Sequence, residues 1–219
     1  MFNNENYNVW EGQECGEWWE DAVEERLPAL YQTREEWLDA ATTAFMPKFS
    51  TLGLPNPAVK VACGWPSAGG LREKKKTIGE CWHKDMVQQS TAHLFISPCL
   101  ESPIAVLETL LHEVLHAALP LGTKHNKTFD SYSKKLGLEG PPTSNFAGTD
   151  LKARLNVLSH RLGVYPHHSI DRSLRKKAAT RLRLWECQCE KPVKVRVASD
   201  DFQAICNHCE QAFIMREKD

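Results

Sequence analysis

Residues 107–119 read LETLLHEVLHAAL, an apolar run with leucine, valine and alanine at helical spacing. Within it His112 and His116 are four apart, so on a helix their imidazoles leave one face and converge. That supplies two corners of a tetrahedral zinc site. Glu113, between them, is badly placed to be a third ligand from the adjacent position. Its carboxylate can instead reach a metal-activated water, take its proton as general base and deliver it to a leaving amine. The residues therefore point to metal-assisted hydrolysis, with a protein as substrate.

Ser102 before Pro103 is a helix start, with serine as N-cap and proline at the first helical position. Pro120 and Gly122 stop the helix and let the chain turn back. The turn can present His125 as third ligand, leaving a fourth position open. His83, His93, His160, His167 and His168 compete for that role. Glu108, one turn before His112, reads either as an acceptor that orients it or as a solvated helix-face glutamate. Tyr132 and His160 are candidate donors to a transition state.

Upstream, residues 16–47 carry apolar side chains at helical spacing, interrupted near Pro28 and restarted at Thr33, with Glu36 completing a capping box. Two helices are expected. Ala58–Ala62, Thr77–His83 and Thr91–Ser97 are short runs rich in Val, Ile, Phe and Trp, expected to form a three-stranded antiparallel sheet. Downstream, a helix is expected from Lys127 to Leu136, ending at Gly137, then a loop and a helix from about Leu151 to Leu162. The fold class is α+β. The division expected is an acidic leader at 1–32, a hydrolase domain at 33–169 and a basic segment with a zinc module at 170–219.

The last of these reads WECQCEKPVKVRVASDDFQAICNHCEQAF over 185–213. Cys187 with Cys189 and Cys206 with Cys209, separated by an alternating VKVRV run, read as a zinc ribbon. Four thiolates close a tetrahedral site, so this second zinc is structural, holding a hairpin too small to bury a core unaided. His208 could stand in for one cysteine, and the CxC pair is tighter than the usual CxxC. Just ahead, Arg172, Arg175, Lys176, Lys177, Arg181 and Arg183 form a basic run that either neutralises phosphates, with Trp185 as a stacking surface, or is a solvated linker.

The 219 residues carry a formal net charge of -1, so the whole molecule does not advertise a polyanion, but its beginning is acidic and any such partner should meet the basic run. No signal peptide and no apolar stretch of membrane-spanning length is seen, and the cysteine pattern suits a reducing compartment. The expectation is a soluble intracellular protein, cytoplasmic or associated with the nucleoid or nucleus.

The stretch AHLFISPCLESPIAVLETLLHEVLHAALPLGTKHNKTF, 92–129, resembles the SprT-like metalloprotease family, which includes the Spartan-type DNA-protein crosslink proteases. IGECW, FISP, HEVLH, HNKTF and the cysteine pairs fall in the family's order, across roughly residues 33 to 215. The resemblance implies a zincin-like core, catalytic zinc on His112, His116 and His125, Glu113 as base, a protein substrate bound or crosslinked to DNA, and DNA as partner, single-stranded or in DNA-protein complexes. Asn126 stands where the family has glycine, a position asparagine suits if the backbone is left-handed. Two further readings stay open: a nucleic-acid-binding zinc-ribbon protein with little or no proteolysis, and a zinc peptidase with no DNA role.

Overall fold

In the computed structural model, residues 10, 28–71, 76–88, 90–171 and 181–216 are described below. The chain divides into two compact units, Met1–Asp171 and Arg172–Asp219.

In the first unit, α1 spans Arg34–Thr51 and begins with the capping box read from sequence: the Thr33 hydroxyl accepts the Glu36 N–H, and Glu36 Oε2 accepts the N–H groups of Thr33 and Gln32. The helix expected before Pro28 lies outside the described residues. Of the acidic leader, Trp10 and residues 28–32 are described, and the Trp10 indole N–H donates to the Ala44 carbonyl of α1 at 3.1 Å.

Strands β1 (Val59–Cys63), β2 (Gly79–Trp82) and β3 (Ala92–Ile96) form the sheet. It is mixed, in the order β1-β3-β2, and not antiparallel throughout as the sequence suggested. β2 and β3 pair antiparallel, Gly79 opposite Ile96. β1 pairs parallel with β3, Val59 opposite Ala92. The three strands do alternate in direction along the chain, but β3 inserts between the first two. Ala92, Leu94 and Ile96 bury one whole face, which favours the central place.

Helix α2 (Pro103–Ala118) lies across that face, with Pro103 in its first turn and Ser102 at the N-cap, though the serine side chain makes no capping bond. It is apolar nearly all round because it is the central helix of the unit. It contacts β2 and β3, α1, α3 (Lys127–Lys135) and α4 (Thr149–Leu162). Trp37, Phe45, Phe49, Leu94, Leu107, Leu110, Leu111 and Phe129 are fully buried around it. The stretch between α3 and α4, read as loop, holds a short hairpin of β4 (Leu138–Glu139) and β5 (Phe146–Ala147).

The second unit is a three-stranded antiparallel sheet, β6 (Arg183–Glu186), β7 (Lys194–Val197) and β8 (Ile214–Arg216), ordered β7-β6-β8. Both units together make a mixed α and β architecture, in line with the α+β expectation. Among the described residues no helix is long and apolar enough to cross a membrane.

Candidate metal centres and the cleft

α2 delivers His112 and His116 from one face, as their spacing requires, and the turn after it returns the chain to them. Leu119 caps the helix, Gly122 (φ 88°) and Lys124 (φ 47°) take left-handed backbone, and Pro120 O accepts the Thr123 N–H and hydroxyl. Asn126 is extended (φ -76°), not left-handed as its glycine-like role would need. It is instead the N-cap of α3, its side chain accepting the N–H groups of Thr128 and Phe129. His125 is thereby held between a tight turn and a capped helix.

The Nε2 atoms of His112, His116 and His125 form a triangle with each side 3.1 Å. Zn–N bonds of about 2.05 Å in tetrahedral array would put the nitrogens about 3.3 Å apart, so the spacing fits such an ion. The chemistry of the triangle says the same. His112 Nδ1 lies 2.9 Å from Asn145 Oδ1, an acceptor, which places the His112 proton on Nδ1 and leaves Nε2 with a lone pair. Burial pushes His112 down to about 4 and His116 to about 3, so both rings are neutral near pH 7, as ligands must be. Neutral imidazoles whose Nε2 lone pairs turn inward at this distance are the donor set a zinc ion takes.

Phe129 braces the cluster: its ring stacks on His116 at 4.3 Å and meets His112 and His125 at 4.9 and 5.1 Å. In the sequence Phe129 stands out only as part of the HNKTF motif. Asn145 carries no sequence signal, because no spacing rule connects it to His112 thirty-three positions away. Glu108 does not orient His112; its Oε1 accepts the Ala147 N–H at 3.0 Å, tying β5 to α2.

The other histidines stay apart from the triangle. His83 is buried, with Nε2 at 3.0 Å from the Leu119 carbonyl and Nδ1 accepting the Asp85 N–H, and so pins the end of β2 to the end of α2. His167 lies between the Pro98 carbonyl and Arg34. Neither His160 nor Tyr132 lines the cleft, so neither is placed to act as the donor expected of it.

Glu113 is buried beside the triangle, and burial, with Glu80 nearby, pushes its carboxyl up to about 8. A cleft of about 960 Å³ runs over these groups. Thr77, Ile78, Gly79, Glu80 and Cys81 form one side, Thr143, Ser144 and Asn145 line it too, and the exposed side chains of Met86 and Leu121 stand on its rim.

In the second unit the sulfur atoms of Cys187, Cys189, Cys206 and Cys209 lie within 4.8 Å of one another and are free thiols. Cys187 Sγ accepts the Val193 N–H at 3.0 Å. The N–H groups of Cys209 and His208 pull Cys206 down to about 6, while hydrogen bonds to Cys187 and Cys209 push Cys189 up to about 12. The four thiols as a set fit a closed metal site. His208 is exposed and outside the group.

The basic run is only partly within view: Arg172, Arg175, Lys176 and Lys177 lie outside the described residues. Arg181 is exposed, and Arg183 pairs with Asp200. Trp185 is not a stacking surface. Its ring is buried in edge contact with Phe202 at 5.4 Å, because a sheet this small needs its tryptophan as core. Glu186 gathers Lys194 and Arg216 at 3.0 and 2.8 Å, so part of the positive charge here is met internally.

Compared with models of known protein families, with curated proteins and with solved structures, the chain finds no match.

Proposed function

We propose that this chain is a zinc-dependent peptidase of the SprT-like kind, with a zincin-like catalytic core and a structural zinc in its ribbon. The observation that carries the reading is the triangle of neutral imidazole nitrogens, 3.1 Å on a side, with the buried Glu113 carboxylate beside it in an open cleft. His112, His116 and His125 would hold the catalytic ion; Cys187, Cys189, Cys206 and Cys209 would hold the other. Zinc bound by three histidines supplies a Lewis acid that polarises a carbonyl and acidifies a water.

The chain's own residues do the rest. Glu113 Oε1 and Oε2 are the proton carriers: the carboxylate takes a proton from the attacking water and returns it to the departing amine nitrogen. Burial and Glu80 favour the protonated form of Glu113 in the metal-free chain, and a cation in the triangle would favour the carboxylate, the form that accepts the proton. Among the described residues β2 pairs with β3 alone, so its other edge is free along the cleft wall. An extended polypeptide can add to that edge by main-chain hydrogen bonds, with apolar side chains meeting Ile78, Met86 and Leu121. A protein substrate is the chemistry this wall suits.

The DNA-associated part of the reading rests on the SprT-like resemblance and on the basic run from Arg172 to Arg183. The test combines metal content with cleavage, using the full chain, His112→Ala, Glu113→Gln and Cys206→Ala. Two zinc ions in the native chain are expected, one lost in His112→Ala and one in Cys206→Ala. Cleavage of a DNA-bound protein, stimulated by DNA, should vanish in His112→Ala and in Glu113→Gln, the latter keeping both ions. One ion unaffected by His112→Ala, with no cleavage, would leave a zinc-ribbon binding protein instead. Cleavage indifferent to DNA would leave a peptidase without a DNA role.

A further inference from the structure

We infer that Asn145 is a positioning residue of the histidine triangle, an uncharged acceptor that commits His112 to the tautomer able to bind metal. The inference rests on reading the triangle as a metal site.

The His112 ring has two nitrogens and, when neutral, one proton. Asn145 Oδ1 stands 2.9 Å from Nδ1. An oxygen there accepts, so the proton sits on Nδ1 and the Nε2 lone pair points at His116 and His125, each 3.1 Å away. The opposite amide orientation would set an N–H against Nδ1, drive the proton to Nε2 and fill the triangle with a hydrogen. Only one orientation is compatible with a bound cation.

The hairpin that carries Asn145 is fastened to the same helix. Glu108 Oε1 accepts the Ala147 N–H at 3.0 Å, and Glu108 and His112 are four apart on α2, so one stripe of that helix holds both Asn145 and its strand.

The third observation explains why the residue is an amide. Asn145 Nδ2 is buried and has no hydrogen-bond partner among the described residues. Aspartate would remove that orphan donor and grip the imidazole N–H more strongly. It would also pass negative charge through the ring to the metal, favouring affinity over electrophilicity. Asparagine orients the ligand without spending the ion's Lewis acidity, and the stranded N–H is what that choice costs.

The experiment uses the full-length protein, Asn145→Leu, Asn145→Asp and His112→Ala. Zinc affinity is measured by competition with a chromogenic chelator, and Co2+ spectra separate the histidine site from the cysteine site by the absence of sulfur charge-transfer bands. Asn145→Leu should bind the histidine-site ion about 10–100-fold more weakly. Its cysteine site should be unchanged, and its metal-free melting temperature should stay within about 4 °C, the equivalent of about 1 kcal/mol in a chain this size. Asn145→Asp should bind at least as tightly as the native chain but with lower kcat. 15N NMR of the metal-free native protein should find His112 protonated at Nδ1. Undiminished affinity in Asn145→Leu, or a proton on Nε2, overturns the inference while the metal site stands. Metal content unchanged by His112→Ala overturns the metal reading and this inference with it.

Discussion

The backbone of Gly79 in β2 passes so close to the Glu113 carboxylate that a Cβ at this position would collide with Oε1. The same Cβ would come within 2.7 Å of Thr109 Cγ2, so neither neighbour on α2 leaves room for it. Space, not backbone freedom, reserves this place for glycine. Gly79→Ala should therefore destabilise the protein by about 1–3 kcal/mol in urea denaturation, the usual range for overpacking. If the chain is the proposed zinc peptidase, the variant should also lose peptide hydrolysis by displacing Glu113 while keeping its metal content. Full activity in the alanine variant would show that Glu113 has freedom the packing denies it.

The buried histidines make the metal-free protein sensitive to acid. His112 at about 4 and His116 at about 3 both lie below the ordinary value of 6.5, chiefly because burial penalises the charged ring. Between those values the unfolded chain binds more protons than the folded one, so stability rises with pH. It is fully present above 6.5 and is lost as pH falls toward 4 and then 3. Urea midpoints of the metal-free protein should fall across this window, and His116→Gln should flatten the profile. Equal pH profiles for the two proteins would contradict the burial argument.

The start of α1 offers a test of the capping box. Hydrogen bonds from the N–H groups of Thr33 and Gln32 hold the Glu36 carboxyl below its ordinary 4.5. The folded pKa is depressed, so the box contributes fully above the unfolded value and is lost as pH falls through the folded one. Glu36→Gln should be less stable than the native chain at neutral pH, and the gap should close below about 4.5. Thr33→Ala should cost about 1 kcal/mol, the usual loss for an N-cap. Calorimetry at two pH values checks both.

The second unit should depend on its metal. Among its described residues it buries Trp185, Glu186, Cys187 and Cys206, with Cys189 and Cys209 partly exposed. A sheet of that size without a metal cannot offset its chain entropy. Chelation, or Cys206→Ala, should open residues 181–216 to limited proteolysis while α2 stays protected, with cleavage sites read by mass spectrometry. Resistance of the metal-free ribbon would mean that the strands alone hold it.

Local chemistry made helix α2 legible in the sequence. Ser102, Pro103 and Pro120 bound α2, a four-residue spacing puts His112 and His116 on one face, and the Thr33/Glu36 box marks α1, because each depends on neighbours within about a turn. The paired cysteines were legible for the same reason, since metal ligands a few positions apart share one turn. Tertiary structure decided what depends on distant segments meeting. It set β3 between β1 and β2, turned Asn126 from an expected left-handed residue into a helix cap, and buried Trp185 in the ribbon's small core. It brought Asn145 to His112 and Phe129 to all three imidazoles, and gave Glu108 to Ala147 instead. Spacing along a helix is fixed by its 3.6-residue turn, whereas the partner of an Nδ1 proton is set by which remote backbone can pack beside it.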